Sequence, residues 1–275
     1  MLTESSPARL NSSAPEGENS QIHPTAIIHP RARIGENVTI GPWTLIDADV
    51  DIGDNTWIGP HVVVRGPTRI GKDNRIFQFA SIGEIPQDQK FKGEKATLEI
   101  GDRNTIRECC TFNRGTQDRM VTRIGHDNLF MAYVHIAHDC IVGNHTVFAN
   151  NASLAGHVTV DDYVVLGGFS GVLQFCRMGA HSFASMGSMI DKDVPPYVRV
   201  SGYYAKPYGL NTVGLSRRGF SPETIQQLQR AYRVLYRRSL LIKDALIQLQ
   251  EMVATCPELQ CVIDLIQESE RGIVR

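Results

Sequence analysis

A chain of 275 residues with 28 basic and 29 acidic side chains carries a formal net charge of −1, so no global field draws it to nucleic acid or to an anionic membrane; any anion site must come from local clusters. The length allows one large domain or two smaller ones, and two parts are expected. Of the six cysteines, Cys109 and Cys110 are adjacent, and Cys140, Cys176, Cys256 and Cys261 lack paired metal-knuckle spacing, which points to reduced thiols in a cytoplasmic protein.

Taken in chain order, residues 1–20 are rich in Ser, Pro, Asn and Glu and hold no apolar stretch of signal-peptide length. A disordered arm is expected there, with neither a secretion signal nor a membrane span. From Ile22 a period of six begins: Ile28, Ile34, Ile40, Ile46, Ile52, Ile58, Val64, Ile70, Ile76 and Ile82 follow without a break. The phase resumes at Ile100, Ile106 and Phe112, and again from Ile124 through Phe130, Ile136, Val142, Phe148 and Leu154 to Ile190. Only Asp88, Glu94 and Asp118 fall on this phase without being apolar, and all three lie in its interruptions.

One aliphatic per six residues fits neither a helix at 3.6 nor a plain strand at 2. A short strand followed by a turn satisfies it. The aliphatic points inward, the residue four later (Ala26, Ala32, Thr44, Thr56, Val62, Thr68) helps to fill the interior, and the frequent following glycine (Gly35, Gly41, Gly53, Gly59) is expected to relieve the corner backbone. Three units close a triangular coil of 18 residues, and coils stack about 4.8 Å apart. General crossover rules favour a right-handed turn, so the pattern by itself leaves the hand open.

Two polar segments leave the coil, near residues 84–99 (GEIPQDQKFKGEKATLE in context) and 113–123 (NRGTQDRMVTR). Insertions in a solenoid are tolerated at corners, where they project and cover a neighbouring groove. Beyond Val198 the period ends. Ser221-Pro222-Glu223 predicts a helix start with its N-cap and first-turn proline, running to about Arg238. Further helical stretches are expected over Leu240 to Met252 and after Pro257, closing the open end of the solenoid and meeting a partner.

Among nine histidines, His23, His29, His61, His126 and His145 occupy ordinary turn positions. His138 differs: it lies two residues past the inward Ile136 and directly before Asp139, so it suits an outward base oriented by a carboxylate. One coil above His138 the 18-residue repeat places Gly156, above Asp139 it places His157, and a further coil brings Gln174 over Gly156. A bare glycine amide beside an imidazole suits stabilisation of an oxyanion.

The Ile-Gly-x4 pattern resembles the hexapeptide-repeat acyltransferases, and the strings HIAHDC, ANNASLAGHV, GDRNTIRE, RIFQFASIGE, QFC, DVPPYV and RRGFS are similar to the UDP-N-acetylglucosamine O-acyltransferase family over about residues 22–275. This resemblance implies a mainly β architecture: a left-handed parallel β-helix over 21–200 and a C-terminal helical domain over 201–275. It implies a cytoplasmic homotrimer with sites between subunits, no cofactor and no metal. The implied reaction moves an (R)-3-hydroxyacyl group from acyl carrier protein to the 3-hydroxyl of UDP-N-acetylglucosamine, the first step of lipid A synthesis. By the same resemblance His138 is the general base, Asp139 holds it, and the Gly156 N–H faces the thioester oxygen. Asp88, Lys90, His135, His157 and Gln174 contact sugar nucleotide or pantetheine, and Asn211, Arg217 and Arg218 lie on the nucleotide side, where guanidinium suits phosphate.

Leu173, Val213 and Asn113 depart from the family's usual residues, which leaves a 3-amino acceptor or another UDP-sugar as an alternative. Met186 replaces a groove glycine and predicts a shorter acyl chain. Two other functions compete. A carbonic-anhydrase-like solenoid would bind zinc through His135, His138 and His157, which needs three converging imidazoles. A purely binding solenoid would not need His138 at all.

Overall fold

The backbone amides of each coil donate to carbonyls of the next: Gly41 N–H to Ile58 O and Gly59 N–H to Ile76 O, both at 2.8 Å. In the computed structural model, which describes residues 21–275, such bonds build sheets of 11, 9 and 8 strands visited in rotation. The result is a left-handed, three-sided parallel β-helix. The expected arm at 1–20 lies outside the described residues.

The inward aliphatics Ile40, Ile52, Ile58, Ile76 and Ile82 are buried, as are Thr44, Thr56 and Val62, four residues after the first three. Mid-prism the filling becomes aromatic, with Phe112, Phe130 and Phe148 at centroid spacings of 4.9 Å. The glycines have a different task from the one expected. Left-handed φ falls on non-glycine residues at the turn, 55° at Asn37, 54° at Trp43, 58° at Asp49 and 57° at Asn55. A Cβ on Gly41 would instead stand 2.7 Å from the Gly59 carbonyl carbon, and one on Gly53 2.6 Å from that of Gly71. These glycines let successive coils approach, while short polar and aromatic side chains tolerate the corner.

Where the coil is interrupted, a buried asparagine ladder replaces aliphatic filler. Asn74 Oδ1 accepts from the amide (2.9 Å) and side chain (3.1 Å) of Asn104, 30 residues on. Asn104 Oδ1 accepts from the Asn128 amide at 3.0 Å, a step of 24. Asn128 Oδ1 accepts from the Thr146 amide and hydroxyl at 2.8 and 2.7 Å, where the step is 18 again. Each carboxamide nitrogen also donates to a glycine carbonyl, of Gly101, Gly125 and Gly143, so these buried groups are satisfied. The excursions are shorter than expected: Thr97–Ile100 and Val121–Ile124 are strands of the third sheet, leaving 85–96 and 114–120 outside the ladder.

The three outer faces differ. The third sheet carries Arg33–Asp51, Glu99–Arg123 and Asp161–Arg177 pairs. Along the first sheet the outward residues Leu129, Val147, Val165 and Phe183 are apolar and half-buried. The corner between the first and second sheets carries Trp43, Phe79, Tyr133 and Phe169, all more than half exposed, and Trp43, His61 and Phe79 stack at 5.1 and 5.3 Å.

Val198–Ser201 continues the first sheet, and Lys206–Leu210 pairs with it antiparallel, ending the parallel edge. Four α-helices follow: α1 (Thr212–Arg217), α2 (Pro222–Arg237), α3 (Ile242–Val253) and α4 (Gln260–Glu268). Ser221 caps α2 by accepting from the Thr224 amide at 3.1 Å. Leu228, Val234, Leu235, Leu249, Leu259 and Ile263 form the core of this cap. It is tied to the prism by Arg177–Glu268 at 2.9 Å and by Ser269, which donates to Asp193 at 2.6 Å.

Candidate active site

The corner between the second and third sheets turns after His135–Ile136 and before Ile141–Val142. There Asp139 takes φ 58°, which leaves the imidazole of His138 against the outside of the prism rather than within its core. His138 is 7% exposed and Asp139 is fully buried. Nδ1 of His138 lies 2.9 Å from Asp139 Oδ2; with the carboxylate as acceptor, Nδ1 carries the proton and Nε2 presents a lone pair. One coil on, a Cβ at Gly156 would meet His138 Cε1 at 2.5 Å and Nε2 at 2.6 Å. The absence of a side chain there is what lets the ring lie flat against the next turn.

His157 stands directly over Asp139, its amide donating to the His138 carbonyl at 3.0 Å. Its Nε2 is 3.7 Å from Asp139 Oδ2 and 3.5 Å from Asp118 Oδ2, and its ring stacks on Phe175 at 4.6 Å. Burial is the main cause holding its pKa below the usual imidazole value, opposed by Asp139 and reinforced by His138. Burial also lowers His135, whose Nδ1 pairs with the Thr111 hydroxyl at 2.7 Å. Gln174 is exposed on the coil above Gly156, beside Phe175, whose amide donates to the Gly156 carbonyl. Cys140, next in sequence, is no nucleophile: burial pushes its thiol up to about 12.

His138, Asp139, Gly156, His157 and Gln174 therefore form one cluster, with His135 on the adjoining strand. Asp88 and Lys90 sit on the first excursion and bond to each other, the Lys90 amide donating to Asp88 Oδ1 at 2.9 Å. Asn113 ties the excursions together by donating to the Ile85 carbonyl at 3.1 Å. Asn211, Arg217 and Arg218 lie at a different corner. Asn211 donates to the His181 carbonyl at 2.9 Å, Arg218 covers the Tyr163 ring at 4.3 Å, and with Val165, Phe183 and Val213 they line a hollow of about 530 Å³. Within one chain the whole third sheet separates this hollow from His138. Met186 is 72% exposed.

The residues missed in the sequence are Thr116, Arg119 and Thr122, all bonded to Asp139. Their one signal was position: the second excursion ends on the coil before His138. The zinc alternative does not match this geometry. Among the described residues, the metal-capable atoms lying within 4.8 Å of one another belong to His138, Asp139 and His157; His135 is engaged by Thr111, so three imidazoles do not converge.

A solenoid of six-residue units with a histidine–carboxylate pair at a corner defines a hexapeptide transferase, and residues 17–48 and 122–156 match the family described as bacterial transferase hexapeptide. Residues 193–274 match UDP N-acetylglucosamine O-acyltransferase, domain 2. The acyl-[acyl-carrier-protein]–UDP-N-acetylglucosamine O-acyltransferase of Thiobacillus denitrificans is 55% identical over 92% of this chain and 99% of its own. The solved UDP-N-acetylglucosamine O-acyltransferase of Moraxella catarrhalis superposes with a TM-score of 0.90 at 50% identity, covering 92% of this chain and 99% of that one. The Arabidopsis UDP-N-acetylglucosamine acyltransferase gives 0.82 at 35% identity over 92% and 100%. The chain belongs to the UDP-N-acetylglucosamine O-acyltransferase family.

Proposed function

We propose that the protein transfers an (R)-3-hydroxyacyl group from acyl carrier protein to the 3-hydroxyl of UDP-N-acetylglucosamine, in lipid A biosynthesis, with His138 as general base. Family membership supports the acyl transfer and its two substrates. The observation that carries the mechanism is the His138 imidazole, fixed by Asp139 and lying against a glycine that offers no side chain.

In this reading Nε2 of His138 takes the sugar hydroxyl proton as the oxygen attacks the thioester carbonyl. The Gly156 N–H faces the oxyanion of the tetrahedral intermediate. Collapse breaks the carbon–sulfur bond, and the imidazolium returns its proton to the departing thiolate. Asp139 stays ionised and stabilises the imidazolium between the two transfers. His135, His157, Gln174, Asp88 and Lys90 surround the sugar and the pantetheine arm.

A homotrimer with sites between copies belongs to the same reading. Support comes from the faces: the third sheet is charged, whereas the first sheet and the aromatic corner present apolar surface suited to a partner. In a head-to-tail ring, Asn211, Arg217 and Arg218 of one copy serve the histidine cluster of the next, a reading that the separation of the two groups within a chain supports. No helix among the described residues is long and apolar enough to cross a membrane, in keeping with a cytoplasmic setting.

The test is an assay with UDP-N-acetylglucosamine and a series of 3-hydroxyacyl carrier proteins, reading product mass, which also separates the 3-hydroxyl acceptor from a 3-amino analogue. His138→Ala should lower kcat by about a hundredfold or more; full activity in that variant overturns the mechanism. Met186 is proposed to limit the acyl groove, so Met186→Gly should shift preference to longer donors. An unchanged preference removes that role.

A further inference from the structure

Asp139 is bound more completely than an orienting carboxylate needs for one imidazole. Its Oδ1 accepts the Thr116 amide at 2.9 Å and the Arg119 amide at 3.3 Å; its Oδ2 accepts the Thr116 hydroxyl at 2.5 Å beside His138 Nδ1. The Arg119 guanidinium donates to the Asp139 carbonyl at 2.8 Å, and the Asp139 amide donates to the Thr122 hydroxyl at 2.8 Å. The Met120 amide closes a turn onto the Thr116 carbonyl at 2.8 Å, which aims the amides of Thr116 and Arg119 at the same oxygen. The second excursion is thus folded back beneath the histidine cluster.

We propose that Thr116 is a positioning residue for acyl transfer, holding the Asp139 carboxylate in the plane that turns His138 Nε2 toward the substrate. The inference rests on His138 acting as base. A competing partner gives the hydroxyl its purpose: His157 Nε2 is 3.7 Å from the same Oδ2. With the Thr116 hydroxyl and amide gripping both oxygens, the carboxylate cannot swing toward His157, and the in-plane site on Oδ2 stays with His138. Burial alone would raise the Asp139 pKa; the Thr116 hydroxyl and amide outweigh it, with His138 and His157 adding to them, and keep the group below the usual carboxylate range. The charge needed beside an imidazolium is therefore maintained at neutral pH.

Thr116→Val keeps the shape and the amide but removes the hydroxyl donor. In the full-length enzyme it should lower kcat by roughly tenfold, as a small misplacement of a catalytic group does, with KM for both substrates within about twofold. Thr116→Ser should restore kcat to within about twofold of wild type. Thr116→Ala removes the same hydroxyl without filling its space and is read in the same way if valine is not accommodated. A valine or alanine variant with wild-type kcat overturns the proposal, as does a loss carried by KM or shared equally by serine. His138→Ala measured alongside separates the layers: activity in that variant removes the base itself, whereas an inactive His138→Ala with an unimpaired Thr116→Val removes only the role of Thr116.

Discussion

From Ile22 to Ile82 the six-residue phase is never broken, the interior is aliphatic or threonine until Asn74 starts the ladder, and the ion pairs, such as Arg31–Asp49 and Arg65–Asp47, lie on the outside. From Glu84 to His157 the same coil is interrupted twice and encloses an asparagine ladder, a fully buried carboxylate and two nearly buried imidazoles. The contrast teaches that the repeat supplies position and the departures supply chemistry. A residue type therefore changes meaning with the region it occupies.

Glycine gives the sharpest way to break this comparison. Gly156→Ala drives a methyl group into the His138 ring, 2.5 Å from Cε1, and should lower kcat by about a hundredfold or more while the folded population stays near wild type. Gly41→Ala meets only backbone of the next coil, at 2.7 Å. It should cost about 1–3 kcal/mol in denaturant unfolding and leave the activity of folded protein unchanged. Equal activity losses from both would erase the distinction between the regions.

A second comparison sets the polar ladder against the aliphatic filling. Asn104→Leu strands the Gly125 carbonyl and the Asn128 amide in the core and should cost about 1–3 kcal/mol for each unsatisfied group. Ile58→Val in the regular coils should cost about 0.5–1.5 kcal/mol, measured by the same denaturation midpoint.

The smallest expected effect is a pH dependence. Because the folded Asp139 pKa lies below its unfolded value, the carboxylate contributes stability that is present above the unfolded value of about 4 and is lost as pH falls through the folded pKa. The melting-temperature gap between wild type and Asp139→Asn should therefore be widest near neutrality and narrow below about pH 4. Arg31→Ala, at an exposed pair, should change stability by no more than about 1 kcal/mol at any pH.

The architecture was legible because an inward aliphatic at every sixth residue has few geometric solutions, and the 18-residue step then placed Gly156 beside His138. Other features left weaker traces. Helix α1 is six residues long with Gly214 inside it, too short for a periodic signal. Spacing alone points the corner glycines to backbone freedom, because it cannot distinguish a strained φ from a close approach. Asn74, Asn104 and Asn128 do stand where Val38 and Thr56 stand in earlier coils, so the ladder had a positional signal, but its bonding partners lie 24 and 30 residues away. Thr116 had only its place on the excursion that precedes His138, since a loop that folds back has no period.

Beneath both excursions the strands join as though nothing had been added: Ser81 pairs with Thr111, and Thr111 with His135. Segments 85–96 and 114–120 behave as tolerated grafts on an unchanged pitch. The first bonds within itself, Lys90 to Asp88 and Lys92 to Glu94, whereas the second is anchored to Asp139, so a change in its sequence reaches the histidine cluster.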